Sequence, residues 1–334
     1  MAHTEKYEDL YKNYIRNLEL NNLELLVIDE IKRVNANLIV RYKKNGNSKY
    51  HVIDNLIDLK DIISNNEFHG SDSVFIPELY IQSTISELKE FSFMNGSIVM
   101  SKNIKFEVNY LNKKINITQK HYDDWLLFKN INLEGWDIHF QGSNKFQKIN
   151  DQRFNKFGIT GCLNFYDVNF DDISLTYKNG YCEDAVNIIS SKGNIKKIII
   201  ENSISDGLDV DFSNVLFDNI EIYNSLNDCA DFSFGNYYIN KILVTKCGDK
   251  GISIGEKSEI EIAKSFVNES SIGISVKDFS QLNLGYLESA KTDICLEAKQ
   301  KKQEFGGAII LFSENKCDSL NKNDFNSIIK HRVN

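Results

Sequence analysis

The chain has 334 residues, of which 42% are hydrophobic and 26% charged, enough to bury a sizeable core and too apolar for a disordered polymer. A formal net charge of −8, with no Lys/Arg-rich block, argues against nucleic acid and anionic membranes as partners, and no stretch is long and apolar enough to span a bilayer. No signal-peptide pattern opens the chain, which reads as cytoplasmic as it stands, or as secreted or envelope-associated if a leader has been trimmed.

Residues Thr4 to Leu18 place Tyr7, Leu10, Tyr11, Tyr14, Ile15 and Leu18 at helical spacing behind a potential Thr4 N-cap, which predicts an amphipathic helix. The runs NLIVRYKK and KYHVID, separated around Asn45-Gly46-Asn47, predict a β-hairpin, and a short helix is expected around Ile57 to Ser64. Residues 1–70 are thus expected to form a small α+β N-terminal domain or cap, and residues 71–334 a β domain. Pro77 is the only proline, which suits long strand ladders.

From Asn187 onward a step of 22 residues recurs: Asn187, Asp209, Asp231, Ser253, Ser275 and Glu297. The preceding column (Val186, Leu208, Ala230, Ile252, Ile274, Leu296) and the following one (Ile188, Val210, Phe232, Ile254, Val276, Ala298) are apolar throughout. Two residues before Asn187 the column is small: Ala185, Gly207, Cys229, Gly251, Gly273, Cys295. Alternation predicts strands with one buried and one exposed face, and the constant step predicts that they stack in register. A second set, Ile198/Ile200, Ile220/Ile222 and Ile242/Val244, repeats at the same interval and weakens after Val244. Two or more short strands per turn, with no room for a helix, predict a right-handed parallel β-helix rather than a leucine-rich repeat. Earlier turns are expected at GCLNFYDVNF, with Leu163 and Phe165 inward, and at DWLLFKNINLEGWDIHF. GGAIILF is expected to supply the last strand before a polar capping tail over Asn321 to Asn334.

The six cysteines lie in a long chain without Cys-x-x-Cys pairs or a signal peptide, so the expectation is reduced thiols, with Cys229 and Cys295 as compact buried side chains. All six histidines fall outside the repeat, which leaves no histidine base or zinc site there. Asp184, Asp206 and Asp228 recur just before the small column, where turn capping is the expected role. Asp209 and Asp231 should project outward from adjacent strands about 5 Å apart, with Asp211 on the same face about 6.6 Å from Asp209. Carboxylates so close must share protons, bind a cation or be neutralised, with Lys250 and Lys277 available on following turns. The same three acids could serve as acid and base in glycoside cleavage, could hold Ca²⁺, or could be a solvated polar ladder.

The motifs CEDAVN, DGLDVDFS, NDCADFSFGNY, CGDKGISIGEKS, GISVKD and KKQEFGGA, spanning Gly161 to Ala308, resemble the right-handed parallel β-helix region of bacterial proteins related to CotH-type kinases. That resemblance implies architecture and an envelope or extracellular setting; no kinase glycine loop or catalytic-loop motif accompanies it. More distantly the coil resembles the scaffold of pectate lyases, polygalacturonases and phage tailspikes, which implies polysaccharide as the partner. The histidine and Arg-x-Lys motif of polygalacturonases are missing from the repeat, and no arginine lies between Arg153 and Arg332 to serve as a pectate-lyase base. The expected function is a carbohydrate-active or carbohydrate-binding β-helix, possible activities being polysaccharide hydrolase or lyase. Asp209, Asp211 and Asp231 are the catalytic or Ca²⁺-ligating candidates, and Lys250 and Lys277 the substrate-binding ones. The alternative is a non-catalytic structural or interaction module of an envelope assembly, favoured by the lack of tryptophan in the repeat; the sequence does not set the oligomeric state.

Overall fold

The computed structural model describes the strand backbones at 26–34, 37–44 and 47–53, and residues 88–142 and 158–332 in full. The chain divides into two compact units, Met1–Leu88 with Asp151–Ile159, and Lys89–Asn150 with Thr160–Asn334. In the first, Leu26–Val34, Asn37–Lys44 and Asn47–Ile53 form a three-stranded antiparallel sheet, so the hairpin at Asn45–Asn47 is present. The helices expected over Thr4–Leu18 and Ile57–Ser64 lie outside the described residues.

The second unit is a parallel β-solenoid of about nine turns. One turn shows how the sequence builds it. Strand Asp206–Asp211 sends Leu208 and Val210 inward, both fully buried. Strand Asn214–Ser225 then buries Val215 and Phe217, and after a break in alternation at Asp218–Asn219 it buries Ile220 and Ile222. That break bends the long strand, giving each turn three inward-facing segments. The columns stack as the spacing predicts, with Val186 opposite Leu208, Leu208 opposite Ala230, Ala230 opposite Ile252 and Ile252 opposite Ile274. Each such fully buried aliphatic side chain contributes roughly 1.5–3 kcal/mol. Like residues also stack on like, as in the Phe128–Phe165 and Phe140–Tyr177 pairs at 5.1 and 5.0 Å.

The small column has a steric cause. A Cβ at Gly207 would lie 2.5 Å from the Cys229 carbonyl oxygen, and one at Gly251 2.6 Å from that of Gly273. Two further columns turn the chain through left-handed backbone: Ser190, Phe212, Phe234, Glu256 and Asp278 at one corner, and Asn179, Asn202, Asn224, Lys246, Glu269 and Lys291 at the other. Asparagine tolerates that conformation, and the Asn202 and Asn224 amides each donate to the asparagine one turn earlier, at 2.7 and 3.0 Å. Phenylalanine tolerates it poorly; stacking of Phe212 on Phe234 at 4.7 Å offsets the strain.

The fading of the repeat after Val244 also has a local cause. Glu256 and Lys257 are both left-handed, and the extra residue moves the long strand from a step of 22 to one of 23, pairing Ile242 with Ser265. The residue is given back near Ser270, so Ser253 still faces Ser275.

The two ends of the solenoid unit are built differently. At the N-terminal end, Gly96–Ser101 pairs antiparallel with Leu126–Lys129, and Lys105–Asn109 pairs antiparallel with Lys114–Thr118, so residues after position 88 cover the edge of the first turns. At the other end, the tail keeps coiling: Leu320–Asn323 and Ile328–His331 pair in parallel with the preceding strands. Its polar outer residues hid Ile328 and Ile329, which stack on Ile309 and Ile310.

The expected free thiols are replaced by three disulfides, Cys162–Cys182, Cys229–Cys247 and Cys295–Cys317. Their separations of 20, 18 and 22 residues are close to one turn, so each joins the start of a coil to its end. Coil geometry brings the paired cysteines together, and Cys229 and Cys295 are buried as anticipated.

Two outcomes test this architecture. Leu208→Asp, which buries an unpaired carboxylate, should cost roughly 4 kcal/mol or more in denaturant unfolding, and a near-neutral effect would contradict the stack. Alkylation of the denatured, unreduced protein should leave its mass unchanged, whereas modification of all six cysteines without reductant would contradict the disulfides.

Candidate functional site

The short strands Asp184–Ile189, Asp206–Asp211, Ala230–Ser233 and Lys250–Gly255 form one face of the solenoid. Parallel register places Asp209 directly opposite Asp231, about 4.8 Å away on the neighbouring strand, with Asp211 two residues along and opposite Ser233. The three predicted acids therefore share one patch. The face is not the open, solvated surface that the alternation suggests. Asp209, Asp211 and Asp231 are half-buried, while Asn187, Ser253, Ser275 and Glu297 in the same column are buried.

Polar bonds between coils seal the column. Asn187 Nδ2 donates to Asp209 Oδ2 at 3.0 Å and to Asp184 Oδ2 at 3.2 Å. Lys277, 5% exposed, donates to Ser253 Oγ at 2.7 Å, and Ser275 Oγ donates to Glu297 Oε2 at 2.8 Å. Lys250 pairs with Asp249 and, at 3.3 Å, with Asp228. Both predicted substrate-binding lysines are thus committed to neighbouring protein groups.

Two members of the Asp184 column bond backbone amides of the next coil. Asp206 Oδ1 accepts the backbone N–H of Asp228 at 2.9 Å, and Asp228 Oδ1 accepts that of Lys250 at 3.0 Å. Each aspartate ties its coil to the next rather than capping its own turn.

Gathering these acids has an electrostatic cost. Burial pushes the Asp206 carboxyl up to about 8, with Asp184 and Asp228 adding repulsion. Burial also raises Asp209 well above the usual carboxylate range, reinforced by Asp211, Asp184 and Asp231. Asp228 is raised by burial against the opposing pull of Lys250. Asp206 therefore bears a proton at neutral pH, the Asp209 carboxyl is shifted in the same direction, and Asp231 Oδ1 is buried without a hydrogen-bond partner among the described residues.

The structure adds two features to the site, an oxygen cluster and a lysine. Carboxylate oxygens of Glu183, Asp184 and Asp206 lie within 4.8 Å of one another, an oxygen cluster that adjoins Asp209 through Asn187. Turn stacking, visible as the Asp184/Asp206 repeat, was the available signal; Glu183 had none. The second feature is Lys301, whose ammonium pKa is lowered first by the like charge of Lys277, then by burial and by Lys250. It lies in Gln300–Gly307, where the step between paired strands lengthens from 22 to 28 residues, Gln281 facing Ile309. This longer connection folds back along the corner: Phe305 lies 6.5 Å from Phe234 and 6.2 Å from Phe279, Lys302 pairs with Glu256, and the Lys301 and Lys302 amides donate to Asp278 Oδ1.

No family model, curated protein or solved structure matches the chain. Among the described residues no helix is long and apolar enough to cross a membrane.

The raised carboxyls give a pH dependence with a defined sign. The folded protein holds protons on Asp206 and Asp209 that the unfolded chain, with an ordinary value of 3.8, releases. Their penalty is absent below the unfolded value and grows as pH climbs toward about 8 for Asp206. Asp209→Asn retains an acceptor for Asn187 and should raise stability at pH 8 by roughly 1 kcal/mol or more, with no gain near pH 4. Equal melting curves for the two proteins at pH 8 would contradict the assignment.

Proposed function

We propose that this protein is a carbohydrate-acting β-solenoid whose site is the Asp209/Asp211/Asp231 face. The observation that carries the reading is the register that sets Asp209, whose carboxyl burial raises well above the ordinary range, one strand from Asp231 and two residues from Asp211. A carboxyl with a raised pKa beside further carboxyls is what general acid and base catalysis of glycosidic cleavage needs. Lys301, which loses its proton more readily than an ordinary lysine, adds a second potential base at the same face. The straight stacked face offers an extended polymer successive identical steps of about 4.8 Å. Three disulfides suit an oxidising compartment, and the motifs resembling the CotH-type β-helix region suit an envelope or extracellular polysaccharide.

The residues also fit Ca²⁺. Asp231 Oδ1 and Asn187 Oδ1 are buried oxygens without hydrogen-bond partners among the described residues, and Asp209, Asp211 and Asp231 would hold the ion. When bound, Ca²⁺ would supply positive charge to offset clustered carboxylates or an acidic sugar. Asp209 and Asp231 would then lose their role in proton transfer and orient the polymer instead.

One observation favours a second reading, a non-catalytic interaction module. Most of the column is sealed by its own serines and lysines, and Trp125 and Trp136 are core residues at 1% and 3% exposure, which removes both tryptophans as sugar platforms.

A panel of neutral and acidic polysaccharides, assayed for new reducing ends and for retention on immobilised polymer, separates the two. Asp209→Asn with Asp231→Asn should preserve the fold and lower cleavage by roughly 10²–10⁴-fold, or abolish Ca²⁺-dependent retention. Ca²⁺ should raise the melting temperature of the wild type and not of the double variant. Unchanged cleavage or retention in the double variant would overturn the proposed site.

A further inference from the structure

A concavity lies at the N-terminal end of the solenoid unit, apart from the acidic face. It is a cleft of about 540 Å³, within the range of small-ligand sites. Met100 and Ile104 form a buried floor, 6% and 3% exposed, and the half-buried rings of Phe91 and Phe106 meet at 5.5 Å along one wall. Around this apolar base stand Lys89, Lys102, Lys105 and Lys120, all exposed, and no acidic residue lines the cleft. Only Lys105 has an ion pair among the described residues, to Glu107 at 2.8 Å.

Four lysines around one concavity, in a chain whose net charge is −8, concentrate positive charge that an anion would neutralise. An apolar base beneath them lowers the local dielectric and focuses their field into the cleft. Lysine suits this task as a mobile point charge with three donors, able to follow oxyanions of differing geometry. The geometry points to a binding site for an oxyanion ligand, bearing at least two carboxylate, sulfate or phosphate groups on a flat body such as a sugar ring. The ammonium groups take the oxyanions and the Phe91/Phe106 wall takes the ring face. Nothing in this site depends on Asp209 or its neighbours.

Titration calorimetry of the full chain at low ionic strength tests it, with digalacturonate and inorganic pyrophosphate as anionic probes and cellobiose as an uncharged one. Digalacturonate should bind with a micromolar Kd and more tightly than pyrophosphate, cellobiose should not bind, and raising salt from about 20 to 200 mM should weaken binding at least tenfold. Lys102→Glu with Lys120→Glu should weaken it by about thirtyfold or more. Lys241→Glu with Lys264→Glu, the same charge change elsewhere on the surface, should alter it less than threefold. The double Asp209→Asn, Asp231→Asn variant should bind as wild type, so this site and the acidic face can fail independently. Pyrophosphate binding as tightly as digalacturonate would overturn the role of the ring wall. Failure of both anions to bind below about 1 mM, or equal weakening by both lysine pairs, would overturn the site.

Discussion

The parallel register between successive coils is the constraint on which the rest of the structure depends. Once Leu208 stacks on Ala230 and Ala230 on Ile252, every other position along the strand is bound to its counterpart 22 residues away. Apolar columns gain from this, because each side chain finds a like shape above and below. Charged columns lose, because a repeated aspartate must face another aspartate at one strand spacing. The acidic patch is thus a direct product of the fold: Asp209 cannot be outward on its strand without meeting Asp231.

The molecule manages that repulsion along its length. Coils near Asp184 and Asp206 carry acids, and those from Lys250 onward bring Lys250, Lys277 and Lys301 to the same side. Where the two groups meet, Lys250 lowers the burden on Asp228, while the Asp206 and Asp209 carboxyls, with no lysine to offset burial, are pushed up. A gradient from proton-bearing acids to paired ions therefore runs along one face. The longer connection at Gln300–Gly307 reaches back toward that face and anchors Phe305 between Phe234 and Phe279.

Much of the architecture was legible because periodicity is a local record of a non-local contact. The 22-residue columns, the inward Leu163 and Phe165 and the hairpin at Asn45–Asn47 all follow from spacing alone. What escaped was information carried between coils rather than along them. The disulfide Cys229–Cys247 joins two corners of one turn, which the repeat implies only when turn length is applied to cysteine spacing. Burial of Ser253 and Ser275 arises from Lys277 and Glu297 on later coils, so the alternation along one strand does not reveal it. At the site, the proximity of Asp209, Asp211 and Asp231 was readable, but Lys301 sits in an insertion outside the period and Glu183 has no repeated counterpart.

The central claim is that this face keeps carboxyl groups protonated where ordinary aspartates are ionised. Carbon-13 NMR titration of the aspartate side-chain carboxyls in the ligand-free protein measures that directly, with Asp206→Asn and Asp209→Asn assigning the resonances. The account predicts one midpoint near 8 for Asp206 and a second, for Asp209, well above the ordinary range. Midpoints for both groups near the ordinary value of 3.8 would contradict it.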